Sequence, residues 1–288
     1  MKRRVLYCCL VIAVLGAAAV VVVTAVEAPA RARWGRALIL VGEAQKLAAR
    51  GDRAASRQKI DEAYALCPEN PKVRRERGMQ LLTRGKVAEA IVELRAAAER
   101  QPGDPGAAWE LAFALSAAGQ VDESIVWFQR VVAMERNNGV AYAMIATAHL
   151  QRNRVSEALR AAQSGVEFSP RVSLTHFTLG LVYWMAKDYE KGRQALEDAL
   201  ALRPSDVRTL LALAALTGEE KRPDLAVGYL ERAVRLEPKN AVAWAGLGEA
   251  YRRCQQPQKA EEALSRALAL DPNSEPARSS WAKLHPRG

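Results

Sequence analysis

A 34-residue period constrains this chain more than any other feature. Prolines stand at Pro68, Pro102, Pro170, Pro204, Pro238 and Pro272, one or two periods apart, with Arg136 in the slot that the proline skips. A fixed period of this size marks stacked supersecondary repeats, each too small to bury a core alone. Function in such a chain is expected on an extended surface rather than in one enclosed pocket.

Cut at the period, the chain gives seven repeats: 37–70, 71–104, 105–138, 139–172, 173–206, 207–240 and 241–274. Three slots stay small. Slot 8 runs Ala44, Gly78, Ala112, Ala146, Gly180, Ala214, Gly248. Slot 20 runs Ser56, Ala90, Ser124, Ala158, Gly192, Ala226, Ala260, and slot 27 is small everywhere except Val131. Small residues at helical spacing let two helices approach closely, while larger neighbours such as Leu111 and Leu196 fill the space around the contact. Each repeat therefore reads as helix A over slots 1–14, a short turn, then helix B over slots 17–30. Gly51, Gly85 and Gly119 mark the A–B turn, where a positive φ ends a helix at little cost. Proline at slot 32 stops helix B. Residues 275–285 read as one further helix A, with Trp281 at slot 7, Ala282 at slot 8 and Pro276 in the first turn.

The run Trp244, Leu247, Gly248, Tyr251, Ala260, Leu264, Ala267, Pro272 resembles the tetratricopeptide repeat signature at every slot. The resemblance covers residues 37–274. It implies an all-α, right-handed α-solenoid of seven helix pairs, with residues 275–288 as capping helix and tail, that binds a protein or peptide. Some slots depart from the pattern. Slot 7 is Glu43 in the first repeat and Arg77 in the second, slot 11 is His149 and Thr217, and slot 24 is Ala162. The N-terminal end is expected to be atypical, as solenoid ends are, with a Glu43–Arg77 pair as the second reading. The fourth repeat is expected to pack more loosely.

In this family slots 2, 5, 6, 9, 12 and 13 of helix A line the concave face. Here those slots include Trp109, Phe113, Met144, Phe177, Leu181, Trp184 and Met185. The resemblance implies that these seven form the protein-binding groove, an apolar strip suited to an apolar peptide or an amphipathic helix. The competing reading packs them against adjacent A helices. The carboxylate clamp of chaperone-binding members needs Lys and Asn at slots 5 and 9. Those slots read Val41 and Gln45, then Arg75 and Met79, so chaperone-tail binding is not expected.

Residues 5–26 carry no charge and follow a basic flank, residues 1–4, containing Lys2, Arg3 and Arg4. As a helix the stretch spans about 33 Å, one hydrocarbon core. That is longer than the apolar core of a cleaved signal peptide, about 7–15 residues, so a transmembrane or signal-anchor helix is the first reading. Ala28-Pro29-Ala30 keeps cleavage open. Residues 27–36 then form a basic juxtamembrane linker. Basic residues flank both ends of the stretch almost equally, so orientation rests on its likeness to an export signal. The chain is expected in the cell membrane, single-pass, with the repeats extracytoplasmic, in the periplasm of a bacterium. Cys67 and Cys254 lie in the first and last repeats, too far apart to bond.

The net charge is +10, and residues 1–36, with six Lys or Arg against Glu27, hold half of it. That half sits where anionic headgroups attract it. The repeats are only mildly basic, with alternating signs, as on a solvated helix face. Nucleic acid is not an expected partner. His149, His176 and His285 are scattered, and no Cys pair has zinc spacing, so neither a metal nor a cofactor is expected. There is no glycine-rich phosphate loop or nucleophile elbow. The sequence thus reads as a membrane-anchored, non-catalytic scaffold, in envelope assembly or secretion. A secreted form and an accessory subunit of a membrane enzyme system are the alternatives.

Overall fold

The computed structural model describes residues 31–285, and all regular structure among them is α-helical. Helix α1 is helical over 31–49. It is followed by α2 (Arg53–Leu66), α3 (Pro71–Thr83), α4 (Val87–Arg100) and α5 (Pro105–Ala117). Next come α6 (Val121–Met134), α7 (Gly139–Gln151), α8 (Val155–Phe168), α9 (Ser173–Met185) and α10 (Tyr189–Leu202). The last are α11 (Val207–Glu219), α12 (Pro223–Leu236), α13 (Ala241–Arg253), α14 (Pro257–Leu270) and α15 (Glu275–Leu284). From α2 onward, odd- and even-numbered helices each restart 34 residues after the last of their kind. The even-numbered helices fill slots 17–30, as expected. The odd-numbered ones stop at slot 13, one residue early. The membrane helix expected over 5–26 lies outside the described residues.

The same turn chemistry closes each odd-numbered helix from α1 to α13. Slot 15 has positive φ throughout: Gly51, Gly85 and Gly119, then Asn153, Lys187, Lys221 and Gln255 at φ 55 to 62°. The next residue sends its N–H back five positions, as in Asp52 to Leu47 and Gln256 to Tyr251, at 3.0 Å in both. This is the Schellman closure, which satisfies carbonyls that a helix end leaves bare. Slot 34 caps four of the A helices that follow it. The side chains of Asn70, Asp104, Asn138 and Asn240 accept from backbone N–H groups two or three residues ahead. Val172 holds that slot before α9 and offers no such bond, and Asp206 and Ser274 in that slot make none.

The chain forms two compact bodies, divided between residues 120 and 121. In the N-terminal body α1 packs on α2 and α3 through Ala37, Ala44, Ile60, Ala63 and Val73. Residues 31–36, read as linker, are helical, because no proline interrupts 31–49 and Ala37, Leu40 and Val41 bury one face. The pair Glu43–Arg77 does not form. Glu43 meets Lys59 at 3.4 Å, while Arg77 meets Glu93 at 3.7 Å and lies 3.8 Å over the Tyr64 ring.

In the C-terminal body each helix packs on its sequence neighbours, and α7, α9, α11, α13 and α15 also touch one another in file. The small slots make the contacts expected of them. A Cβ added to Gly180 on α9 would stand 2.6 Å from Leu196 Cγ and 3.0 Å from the Gly192 carbonyl on α10. Helix α15 covers the last repeat through Ala277, with Trp281 and Leu284 packed beside Leu264 and Ala267.

Candidate functional site

Successive A helices of the C-terminal body leave a furrow between them, floored by the B helix that joins them. What stands in slot 12 decides whether a furrow is filled. On α7 it is Leu150, packed against Ala146, Ala158 and Val182. On α9 it is Trp184, half-buried against the core, with its indole N–H donated to Glu219 Oε2 at 3.0 Å. On α11 it is Gly218. The furrow there stays open as a cleft of about 360 Å³ between α11, α12 and α13. Leu211, Ala214, Ala215 and Gly218 form one wall; Val242, Gly246 and Ala250 form the other; Pro223, Ala226 and Leu230 form the floor. Val242 stands at the mouth, 68 % exposed.

Three charges edge this apolar space: Glu219, Glu249 and Arg253. Arg253 donates to Glu249 at 2.8 Å and to the Gly218 carbonyl at 3.2 Å, joining α13 to the end of α11. Glu249 also accepts from Arg252 at 2.8 Å and from Ser280 Oγ at 2.9 Å. Hydrogen bonding from Arg252 outweighs the opposing effect of burial and, with Arg253 and Ser280, holds the Glu249 carboxyl down at about 2. Its negative charge is therefore fixed at neutral pH and already matched. Glu219 is exposed at the rim.

The expected groove residues divide between the bodies. Trp109, half-buried, and Phe113, 49 % exposed, lie on α5. Met144, on α7, is half-buried, as are Leu181 and Trp184 on α9, and Met185 is 52 % exposed. Phe177 is a correction. It is only 8 % exposed, sits in the core, and carries the Arg208 guanidinium 4.4 Å over its ring. The competing reading holds for it: a large apolar side chain in slot 5 fills the furrow instead of lining an opening. Leu211, Ala215, Gly218, Val242 and Gly246 were missed for the same reason. Large apolar side chains mark a groove slot in sequence, whereas this cleft opens where such slots hold Ala215, Gly218 and Gly246.

Most of the remaining polar candidates have structural partners, and the buried Nδ1 of His149 has none among the described residues. Arg75, in slot 5 of the second repeat, grips Glu110 with a bidentate pair at 2.7 and 2.8 Å and meets Asp104 at 3.2 Å. His176 Nε2 lies 2.8 Å from the Pro170 carbonyl, and His285 packs on Trp281. His149 is half-buried, and burial lowers its pKa, which favours the neutral ring. Among the described residues no group of His, Cys, Asp and Glu is placed to hold a metal ion. Cys67 and Cys254 are free thiols.

Two sequence models, both described as tetratricopeptide repeat, match the chain, one over residues 41–105 and 143–207, the other over 81–138 and 219–284. Anaphase-promoting complex subunit 3 of Schizosaccharomyces pombe is 27% identical over 135 residues, 47% of this chain and 20% of that protein. The chain thus spans about a fifth of that relative. A tetratricopeptide repeat protein from Parabacteroides merdae superposes with TM-score 0.67 at 13% identity, covering 87% of this chain and 98% of that one. YrrB, described as a tetratricopeptide repeat protein with an unusual peptide-binding site, superposes with TM-score 0.53 at 17% identity, covering 65% and 97%. At these identities both structural likenesses are likenesses of fold.

Proposed function

The chain belongs to the tetratricopeptide repeat family, and from that premise we propose that it is a non-catalytic scaffold that holds a protein partner in the α11–α13 cleft. The observation that carries this reading is the open apolar space of about 360 Å³, edged by Glu219, Glu249 and Arg253. Its volume suits one or two apolar side chains of an extended segment or an amphipathic helix, with the rim charges setting orientation. Trp184 and Met185 extend the apolar strip toward α9. YrrB, with its described peptide-binding site, supports the same use of the fold.

The proposal includes the membrane. Residues 5–26, uncharged and 22 long, are taken as a single-pass anchor, with the basic residues on either side at the headgroups. The repeats then stand on the extracytoplasmic side and gather partners for envelope assembly or secretion. Ala28-Pro29-Ala30 favours a second reading, release by cleavage with the same binding role.

Gly218→Trp tests the cleft. It puts into α11 the side chain that fills the preceding furrow, at a position where an added Cβ meets only Arg253 Nη1, at 3.9 Å. Full-length protein extracted in mild detergent is used for affinity capture followed by mass spectrometry. The variant should lose the partners that the unchanged protein and Gly218→Ala both retain, with helical circular dichroism intact. Equal capture by Gly218→Trp and the unchanged chain would overturn the reading.

A further inference from the structure

The N-terminal body holds a furrow at equivalent repeat positions with different chemistry. A cleft of about 320 Å³ lies where the ends of α1 and α3 meet the start of α2, lined by Arg53, Ser56, Arg57, Glu76, Gln80 and Arg84 among others. Arg53 and Arg57 stand one turn apart at the beginning of α2, and Arg84 follows the last turn of α3. All three are exposed, and none forms an ion pair with a described residue. Three neighbouring arginines of this body are matched: Arg74 and Arg77 meet Glu93, and Arg75 meets Glu110 and Asp104. Glu76, the carboxylate in the wall, accepts from Gln45 Nε2 at 3.0 Å. Ser56 Oγ accepts from Gln80 Nε2 at 3.2 Å.

Three guanidinium groups without an ion pair, against the single carboxylate of Glu76 in the lining, make a local excess of positive charge around one cavity. We propose that this cleft binds an acidic stretch of a protein partner, with Asp or Glu carboxylates pairing to Arg53, Arg57 and Arg84. The choice of carboxylate follows from guanidinium geometry, which accepts it as a two-pronged pair, as Arg75 already does with Glu110. A lipid headgroup is the poorer occupant. The cleft includes Ala48, which lies about 26 Å along α1 from residue 31. The peptide nature of the ligand rests on the scaffold reading; the residues do not overlap those of the apolar cleft.

The test uses the full chain in non-ionic detergent and fluorescein-labelled hexaglutamate, followed by fluorescence anisotropy. Hexaglutamine, a phosphoserine peptide and phosphatidylglycerol vesicles are the comparison probes. Hexaglutamate should bind best, and more weakly as salt rises from roughly 50 to 300 mM. The double variant Arg53→Gln/Arg57→Gln should bind hexaglutamate about tenfold or more weakly, as loss of two charge-assisted pairs requires, with circular dichroism unchanged. Glu76→Gln should tighten binding, which a purely structural role would not produce. Gly218→Trp should leave it unchanged, so that failure of the apolar cleft and failure of this site are separable. Equal affinity for hexaglutamine, preference for phosphoserine or vesicles, or undiminished binding by the double variant would each overturn the proposal.

Discussion

The indole N–H of Trp184 donates to Glu219 Oε2 at 3.0 Å, across 35 positions of sequence and from α9 to the last residue of α11. The bond seats the ring in one furrow and fixes Glu219 at the rim of the next. Trp184→Phe keeps most of the packing and removes the bond, so it should lower stability by about 0.5–1.5 kcal/mol. Trp184→Ala should cost more, roughly 2–3 kcal/mol, since the ring is half-buried against the core. Thermal melts of both variants check the order. A fall in partner capture with Trp184→Phe, at temperatures well below either midpoint, would show that Glu219 must be held in place for binding.

Helix crossings at the small slots should resist enlargement. Ala260, fully buried on α14, has no room for a longer side chain, and Ala260→Leu should cost about 1–3 kcal/mol. Gly180→Ala should be destabilising despite the helix propensity of alanine, because its Cβ would lie 2.6 Å from Leu196 Cγ. An unchanged melting midpoint for either would mean that the helices separate more easily than their packing implies.

The A–B turns differ in cost although their backbones agree. Lys221 holds φ 62°, where a side chain is strained. Lys221→Gly should stabilise the protein by about 0.5–1 kcal/mol, and Gly85→Ala, at φ 72°, should destabilise it by about 1 kcal/mol. Denaturant midpoints measured on one preparation series decide this.

Acid should loosen the end of the C-terminal body. The Glu249 carboxyl is depressed from its ordinary 4.5 to about 2, chiefly by the bonds from Arg252, Arg253 and Ser280. A depressed acid stabilises above its unfolded pKa and loses that contribution as pH falls through the folded value. Stability from this cluster should therefore be complete above about pH 5 and drain away between about 4.5 and 2. Glu249→Gln should melt earlier than the unchanged protein at pH 7 and converge with it near pH 2.

The proposed anchor predicts that full-length protein stays with membranes through alkaline carbonate, because a spanning helix is not released by salt or pH. Amino-terminal sequencing of that fraction should read residues before Val5. A mature chain beginning at Arg31 would replace the anchor with a cleaved signal.

Much of the backbone was legible in advance because it repeats. Pro204, Pro238 and Pro272 end helices wherever they fall in the period, and Gly51, Gly85 and Gly119 announce their turns. Lys187, Lys221 and Gln255 announce nothing by residue type, and Asn153 does so less strongly than glycine; their left-handed backbone follows from register, since the same closure must be made in every repeat. The candidate site was far less legible. Trp184 and Phe177 look alike as aromatic residues in groove slots, yet one meets the rim of a cleft and the other is core.

By itself, then, the sequence determined helix type, helix phase and the small residues at the crossings, because these depend on contacts within one repeat and between adjacent ones. Tertiary structure alone decided which furrows are open. That outcome is a sum of volumes from three helices: Gly218 on α11, Leu230 on α12 and Gly246 on α13 together leave space that Trp184 and its neighbours fill one repeat earlier. It likewise decided which charges are matched, pairing Arg77 with Glu93 and leaving Arg53, Arg57 and Arg84 around an unfilled cleft. Such pairings turn on side-chain reach across helices, which a period in sequence does not encode.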